Sequence, residues 1–186
     1  MENSSRSDPI LNSNLKTREL TMMAICVAFC CVTAYISFPL PFTPGMVTAV
    51  TIAMSVTAFL LTPKQTFIVI LVYILLGAIG LPVFAGGASG TSRLIGATGG
   101  FYFAWLIAYP LVSKFKGKHP DVKKYTLIDI ICSMPITYLG GMITLVIFME
   151  IDFFKAFMIG ALPYIIGDSL KCFFAAFLAV RIQKQA

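Results

Sequence analysis

The sequence predicts an all-α integral membrane protein, a six-transmembrane-helix bundle with N and C termini cytoplasmic and a ligand pocket at the outer face. Three observations carry that expectation. The chain is 58% hydrophobic and only 12% charged, about half the charged fraction of an ordinary soluble domain, and its mean hydropathy is +0.88. The apolar residues gather into six stretches, most of them near the length that crosses a bilayer. Eleven of the 14 basic residues then fall on one side of six crossings: Arg6, Lys16, Arg18, Lys64, Lys114, Lys116, Lys118, Lys123, Lys124, Arg181 and Lys184. The other side keeps Arg93 and Lys155, with Lys171 inside a helix, so the positive-inside rule makes both termini cytoplasmic.

Residues 1–15 are polar and rich in Ser and Asn, too poor in apolar surface to fold alone, and read as a flexible tail; residues 16–186 form a single membrane domain. The first span covers Leu20 to Phe38. It exceeds the usual apolar length of a signal peptide, and no Ala-x-Ala cleavage pattern follows it. Pro39, Pro41 and Pro44-Gly45 form a charge-free loop that cannot continue either flanking helix. The second span covers about Met46 to Leu61, Thr62 to Gln65 turns the chain, and the third covers about Thr66 to Ile79. At 1.5 Å per residue these two reach roughly 21 to 24 Å, short enough to leave a recess at the outer surface.

Eight of the 14 glycines lie between Gly77 and Gly100, which marks a loop with special backbone needs. The fourth span, about Phe101 to Val112, leads through the polar segment Ser113 to Lys124 into the fifth, Tyr125 to Phe148, which carries Pro135 and Gly140-Gly141. A short apolar piece, Phe153 to Leu162, precedes the last span, Asp168 to Ile182. Pro163 and Gly167 interrupt the pattern just before Asp168, which makes Asp168 the expected N-cap of that helix.

Several functions are excluded on composition. The net charge of +6 is scattered over loops and does not gather with aromatics, so no nucleic-acid surface is expected. The five cysteines lie in apolar segments without Cys-x-x-Cys or Cys/His spacing, and act as small packing residues. The glycine run lacks both the dinucleotide fingerprint and the Gly-x-x-x-x-Gly-Lys-Ser/Thr pattern, so the chain neither binds a dinucleotide nor hydrolyses ATP. An intramembrane enzyme would need acid/base or metal groups within the spans. The one histidine, His119, sits in a loop, and no clustered carboxylates accompany it.

What remains is Asp168 and Lys171, three residues apart on one helix face. Ionisable groups at membrane depth usually mark a pathway or ligand site, although a cap with its own ion pair fits the same spacing. The proline loop, the glycine loop and the start of the last span all fall at the outer face. Broken backbone is tolerated in a membrane where it is buried in protein or lines a cavity. The recess would then hold Asp168, Lys171, Arg93, hydroxyls of Thr43, Thr91, Ser92 and Thr98, and aromatics including Phe42, Phe84, Phe101 and Tyr102. A small organic acid with a polar head and an apolar body suits that inventory. Arg93 fits equally as a surface residue reaching to headgroups. Ala24 and Ala28 give the first span a small-xxx-small face, which in most helices packs within the molecule.

Three stretches taken together resemble the biotin-specific substrate-binding (S) components of energy-coupling-factor (ECF) transporters, the BioY family: Pro39 to Pro44, Gly80 to Gly87 continuing to Gly96 to Gly100, and Leu162 to Lys171. The resemblance covers the chain after its N-terminal tail. It implies high-affinity capture and uptake of biotin across the bacterial cytoplasmic membrane, with Asp168 and Lys171 in the biotin pocket. Gly86, Gly87 and Arg93 would line or close the site, with Phe101 and Thr43 beside it. It further implies no cofactor in this chain, and partners in the form of a transmembrane coupling subunit driven by two ATPases, docked on Ala24 and Ala28. Ser89, Ala97, Phe101 and Val50 depart from residues usual in the family, so some polar contacts to the ligand differ here. An S component for riboflavin or thiamine is the alternative.

Overall fold

In the computed structural model, residues 9–41, 43 and 45–185 are described; residues 1–8 with Arg6, the proline-loop residues Phe42 and Pro44, and Ala186 lie outside them. Seven helices are present among the described residues: α1 (Pro9–Thr33), α2 (Val50–Leu60), α3 (Pro63–Ala78), α4 (Gly99–Phe115), α5 (Val122–Met149), α6 (Phe153–Gly160) and α7 (Ile165–Gln185). The expected six-helix bundle is thus a seven-helix one, because Phe153 to Gly160 forms a short helix of its own. α1 starts at Pro9, so helical backbone reaches back into the stretch assigned to the tail. Once a helix is nucleated by its packed part, each added residue contributes one more hydrogen bond.

The second expected span begins too early. Met46–Thr48 is a strand, β2, pairing antiparallel with β1 (Ser37–Pro39) in the register Ser37 to Thr48, Phe38 to Val47 and Pro39 to Met46. Pro39 and Pro41 forbid helix here while leaving one strand edge usable, and the two strands form a hairpin. Leu61 alone separates α2 from the cap of α3. Thr62, expected in a turn, caps α3 in a capping box: its Oγ1 accepts from the Gln65 N–H at 3.5 Å, and its own N–H donates to Gln65 Oε1 at 3.0 Å, with Pro63 at the first helical position.

α2 is the centre of the bundle. Every residue from Ala53 to Phe59 is buried, as expected for a helix that is apolar all round, and α1, α3, α4 and α7 pack against it. At one end the α2 C-terminus is held by side chains from three other helices. Lys116 Nζ donates to the carbonyls of Ala58, Phe59 and Leu61 at 2.9, 2.9 and 2.5 Å. Ser113 Oγ donates to Leu61 O at 2.6 Å and Gln183 Nε2 to Phe59 O at 2.8 Å. The Phe59 ring stacks on Tyr125 with centroids 4.5 Å apart. This end therefore satisfies the carbonyls that a helix terminus leaves open.

α4 and α5 cross closely through glycine. A Cβ at Gly100 would collide with the Gly140 carbonyl, and Thr144 Oγ1 both accepts from the Gly100 N–H at 3.2 Å and donates to Ala97 O at 3.0 Å. The outer faces are apolar. Leu127, Ile131, Leu139, Ile143 and Ile147 of α5, and Phe173, Phe174 and Phe177 of α7, are all exposed, a surface that water would not tolerate and lipid does. Among the described residues one helix, Val122–Met149, is long and apolar enough to cross a membrane by itself. Ala24 and Ala28 also face outward, while Cys26 and Cys30 of α1 turn inward, so the small-residue face is left unused by the bundle.

Candidate functional site

The end of the bundle opposite the Lys116 and Gln183 contacts is open. There the hairpin, the starts of α2, α4 and α7, the middle of α5 and the loop between α3 and α4 surround a cavity open at its mouth, the concave, largely apolar setting in which small-molecule sites form.

Asp168 sits on its wall, but not as an N-cap. α7 begins at Ile165, and the Asp168 N–H already donates to Tyr164 O at 2.7 Å. The chain turns over Leu162 to Tyr164 around Pro163, so Gly167 falls inside the first helical turn. A carboxylate there still gains from the positive end of the helix dipole. Asp168 Oδ1 accepts from Lys171 Nζ at 2.8 Å, and Oδ2 accepts from the Tyr138 hydroxyl of α5 at 2.7 Å. The pair is largely buried, with 15% of the Lys171 and 19% of the Asp168 side chain exposed.

Aromatic rings of α4 form another part of the wall and pack on Phe84 in the core behind it. Phe84, Tyr102 and Trp105 stack in sequence, with centroids 4.6 Å apart between the first two and 4.8 Å, edge to face, between the last two. Phe101, Tyr102 and Trp105 line the cavity, at i, i+1 and i+4 on α4. Trp105 Nε1 and Thr137 Oγ1, both of cavity-lining residues, are buried without a hydrogen-bond partner among the described residues. Buried polar groups nearly always find partners, so these two atoms mark where an incoming ligand can bond.

Of the residues expected at the site, Asp168, Lys171, Arg93 and Phe101 line the cavity together with Thr98 and Tyr102. Arg93 lies in an exposed turn near the mouth. Thr43 stands one step behind the wall, accepting from the Tyr164 hydroxyl at 2.6 Å and donating to Gly45 O at 3.0 Å. Gly86 and Gly87 are not lining residues. Each has φ of +73°, which glycine adopts without steric cost, and this backbone turn presents Ala85 to the cavity instead. Phe84 is packed in the core, and Thr91 and Ser92 are exposed outside the cavity. Sequence reasoning missed Tyr138, Trp105, Thr137 and Tyr164. Trp105 had a signal, as the one tryptophan in the chain, one turn beyond Phe101.

A helical bundle closed at one end and open at the other over a buried ion pair and an aromatic wall is the architecture of a membrane solute-binding subunit. The backbone agrees closely with a crystal structure of the S-component for biotin from an ECF-type ABC transporter, with a TM-score of 0.85 and 25% identity over 93% of this chain and 94% of that one. A second S component of a bacterial ECF transporter shares the fold at a TM-score of 0.51 and 15% identity. The chain belongs to the BioY family, which it matches over residues 5–186. Among its relatives are the probable biotin transporter BioY of Pyrococcus horikoshii, 33% identical over 91% of this chain and 98% of that protein. Biotin transporter BioY2 of Lactococcus lactis subsp. cremoris is 35% identical over 85% of this chain and 86% of that protein.

Proposed function

We propose that this protein is the biotin-capturing S component of an ECF transporter, and that it binds biotin in the open chamber through Asp168 and Lys171. Biotin carries a neutral ureido ring at one end, a carboxylate at the other and an apolar body between them. Asp168 accepts from the ureido N–H groups, while Lys171 holds the Asp168 carboxylate in place and donates to the ureido carbonyl. The apolar body lies along Phe101, Tyr102 and Trp105. The biotin carboxylate stays near the mouth, where Arg93 meets it in a setting that remains partly hydrated, since burying an ion costs far more than burying a neutral ring.

The observation that carries this reading is the Tyr138–Asp168–Lys171 group, a charge pair fixed by two hydrogen bonds inside a chamber that Trp105 and Thr137 also line, each with a donor unpartnered among the described residues. A pair that served only to cap α7 would have no reason to border empty space. The protein carries out no covalent chemistry; ATP is hydrolysed by two partner subunits, coupled through a transmembrane partner that docks on α1 at Ala24 and Ala28. Six of the helices span the cytoplasmic membrane with both termini inside, α6 lying at the outer face as part of the chamber rim. The test is equilibrium binding of labelled biotin to the detergent-purified chain. Saturable binding at one site per chain, competed by unlabelled biotin and not by riboflavin or thiamine, is the expected result; absence of binding overturns the reading.

A further inference from the structure

The end of the molecule away from the chamber carries charge that the fold does not use. Arg18 of α1, Lys64 of α3, Lys114 of α4, Lys123 of α5 and Arg181 of α7 are all exposed. Contacts between their helices bring them to one end. Gln65, next to Lys64, donates through Nε2 to Glu19 Oε2 at 3.1 Å, and the Tyr125 hydroxyl donates to Gln183 Oε1 at 3.1 Å. The exposed acids here among the described residues are engaged with neutral groups: Glu19 with Gln65, and Asp121, whose Oδ1 accepts from the Lys123 N–H at 2.9 Å. The one ion pair among the described residues, Lys171 with Asp168, belongs to the chamber.

Charge is densest at the turn between α4 and α5. Gly117 there has φ of +79°, and the turn brings Lys124 back against it, so that a Cβ on Gly117 would stand 2.6 Å from Lys124 Nζ. Lys118 follows in the chain and Lys114 lies on the last turn of α4, and all three lysines are exposed. Ammonium groups gathered in this way repel one another and gain from an anion set among them, phosphate oxygens above all. Cations also lie over exposed rings where the apolar flanks end: Lys114 Nζ is 5.9 Å from the centre of the Phe115 ring, and Arg181 Cζ is 5.2 Å from that of Phe177. A basic head above an apolar ring suits a membrane interface, where stems lie in hydrocarbon and heads reach the headgroup layer.

We propose that this basic collar binds anionic phospholipid, with Lys114, Lys118 and Lys124 of the α4–α5 turn forming its headgroup phosphate site. The occupant is lipid because the cations come from five helices, four of them packed around α2 or its neighbours on different sides, and because exposed rings accompany them; a protein partner would draw them to one flank. Anionic headgroups attract basic residues beside a membrane-spanning helix over about a Debye length. The site lies at the opposite end from the chamber and is independent of what the chamber holds.

The test measures the Tm of the detergent-purified full chain in mixed micelles with phosphatidylglycerol, with phosphatidylcholine of the same acyl chains, or with phosphatidylcholine plus soluble glycerol phosphate. Phosphatidylglycerol is expected to raise the Tm about 5 °C above phosphatidylcholine, an increment that fades as salt rises from about 0.05 to 0.5 M. Lys114→Gln/Lys118→Gln/Lys124→Gln loses most of the increment, whereas Lys155→Gln, on the helix that follows the far end of α5, keeps it. Should the triple variant fail to fold, the salt dependence of the wild type decides. Equal Tm in the two lipids overturns the proposal, as does an increment that survives high salt or the triple substitution. An increment reproduced by glycerol phosphate overturns the assignment to lipid. A triple variant that keeps the increment yet abolishes uptake by the complete transporter assigns the surface to a protein partner and overturns it as well.

Discussion

Asp168 is held from two sides, by Lys171 on its own helix and by Tyr138 from α5, and each partner does different work. Lys171 supplies the charge that makes a carboxylate bearable under the loops; Tyr138 fixes its orientation from a neighbouring helix. Removing one member of a buried pair leaves the other uncompensated, at a cost of about 3 kcal/mol. Asp168→Asn and Lys171→Met should therefore each weaken biotin binding roughly 100-fold in equilibrium titrations. Tyr138→Phe removes one hydrogen bond to a charged group and should weaken it about tenfold, with no change in the far-UV circular dichroism of the protein. Unaltered tight binding in the first two variants would separate the family from the site. Asp168 and Lys171 are recognisable from sequence because charge within an apolar run is conspicuous. Tyr138 is not, because a tyrosine in a helix looks the same whether or not an acid 30 residues later turns to meet it.

At the scale of the elements, the hinge of the structure is the glycine contact between α4 and α5. Gly100 and Gly140 let the two backbones touch, and Thr144 bridges the end of the glycine loop to α5, so the loop that carries Arg93 and Thr98 is fixed to the helix that carries Thr137 and Tyr138. Gly100→Ala forces these helices apart, with a cost of about 1 to 3 kcal/mol for overpacking; a lower Tm together with weaker biotin binding is the expected outcome. Thr62→Ala breaks the capping box of α3 at the far end of the molecule and should cost about 1 kcal/mol, lowering the Tm while leaving biotin Kd unchanged. Thr62-Pro63-Lys64-Gln65 was expected only as a turn, although the residue types and spacing of a capping box are local and stand in the sequence. The hairpin had no such signal. Ser37–Pro39 and Met46–Thr48 are three-residue strands, too short to show alternation, and they pair because the bundle brings their ends together.

For the molecule as a whole, the two ends differ in what they satisfy. One end ties off the α2 carbonyls with Lys116, Ser113 and Gln183; the other keeps groups unpartnered among the described residues at Trp105 and Thr137. A binding subunit needs both, a rigid base and an end free to accept a ligand. The apolar sides suit lipid, and the small-residue face of α1 offers backbone-close docking without disturbing the core. Ala24→Leu combined with Ala28→Leu should leave biotin binding by the purified chain intact and abolish biotin uptake by cells carrying the complete transporter. Loss of binding itself in that variant would place these alanines within the fold instead of at a partner.

Membrane class, the positions of the loops and the Asp168–Lys171 pair were all decided locally, by composition, by proline and glycine, and by a charge three residues from its opposite on one helix. Those properties are carried by neighbours in the chain and survive any arrangement of the helices. Which side chains face one another across the bundle is a matter of packing between distant segments. Tyr138 against Asp168, and Trp105 and Thr137 on the wall of one cavity, came into being only when α4, α5 and α7 packed together.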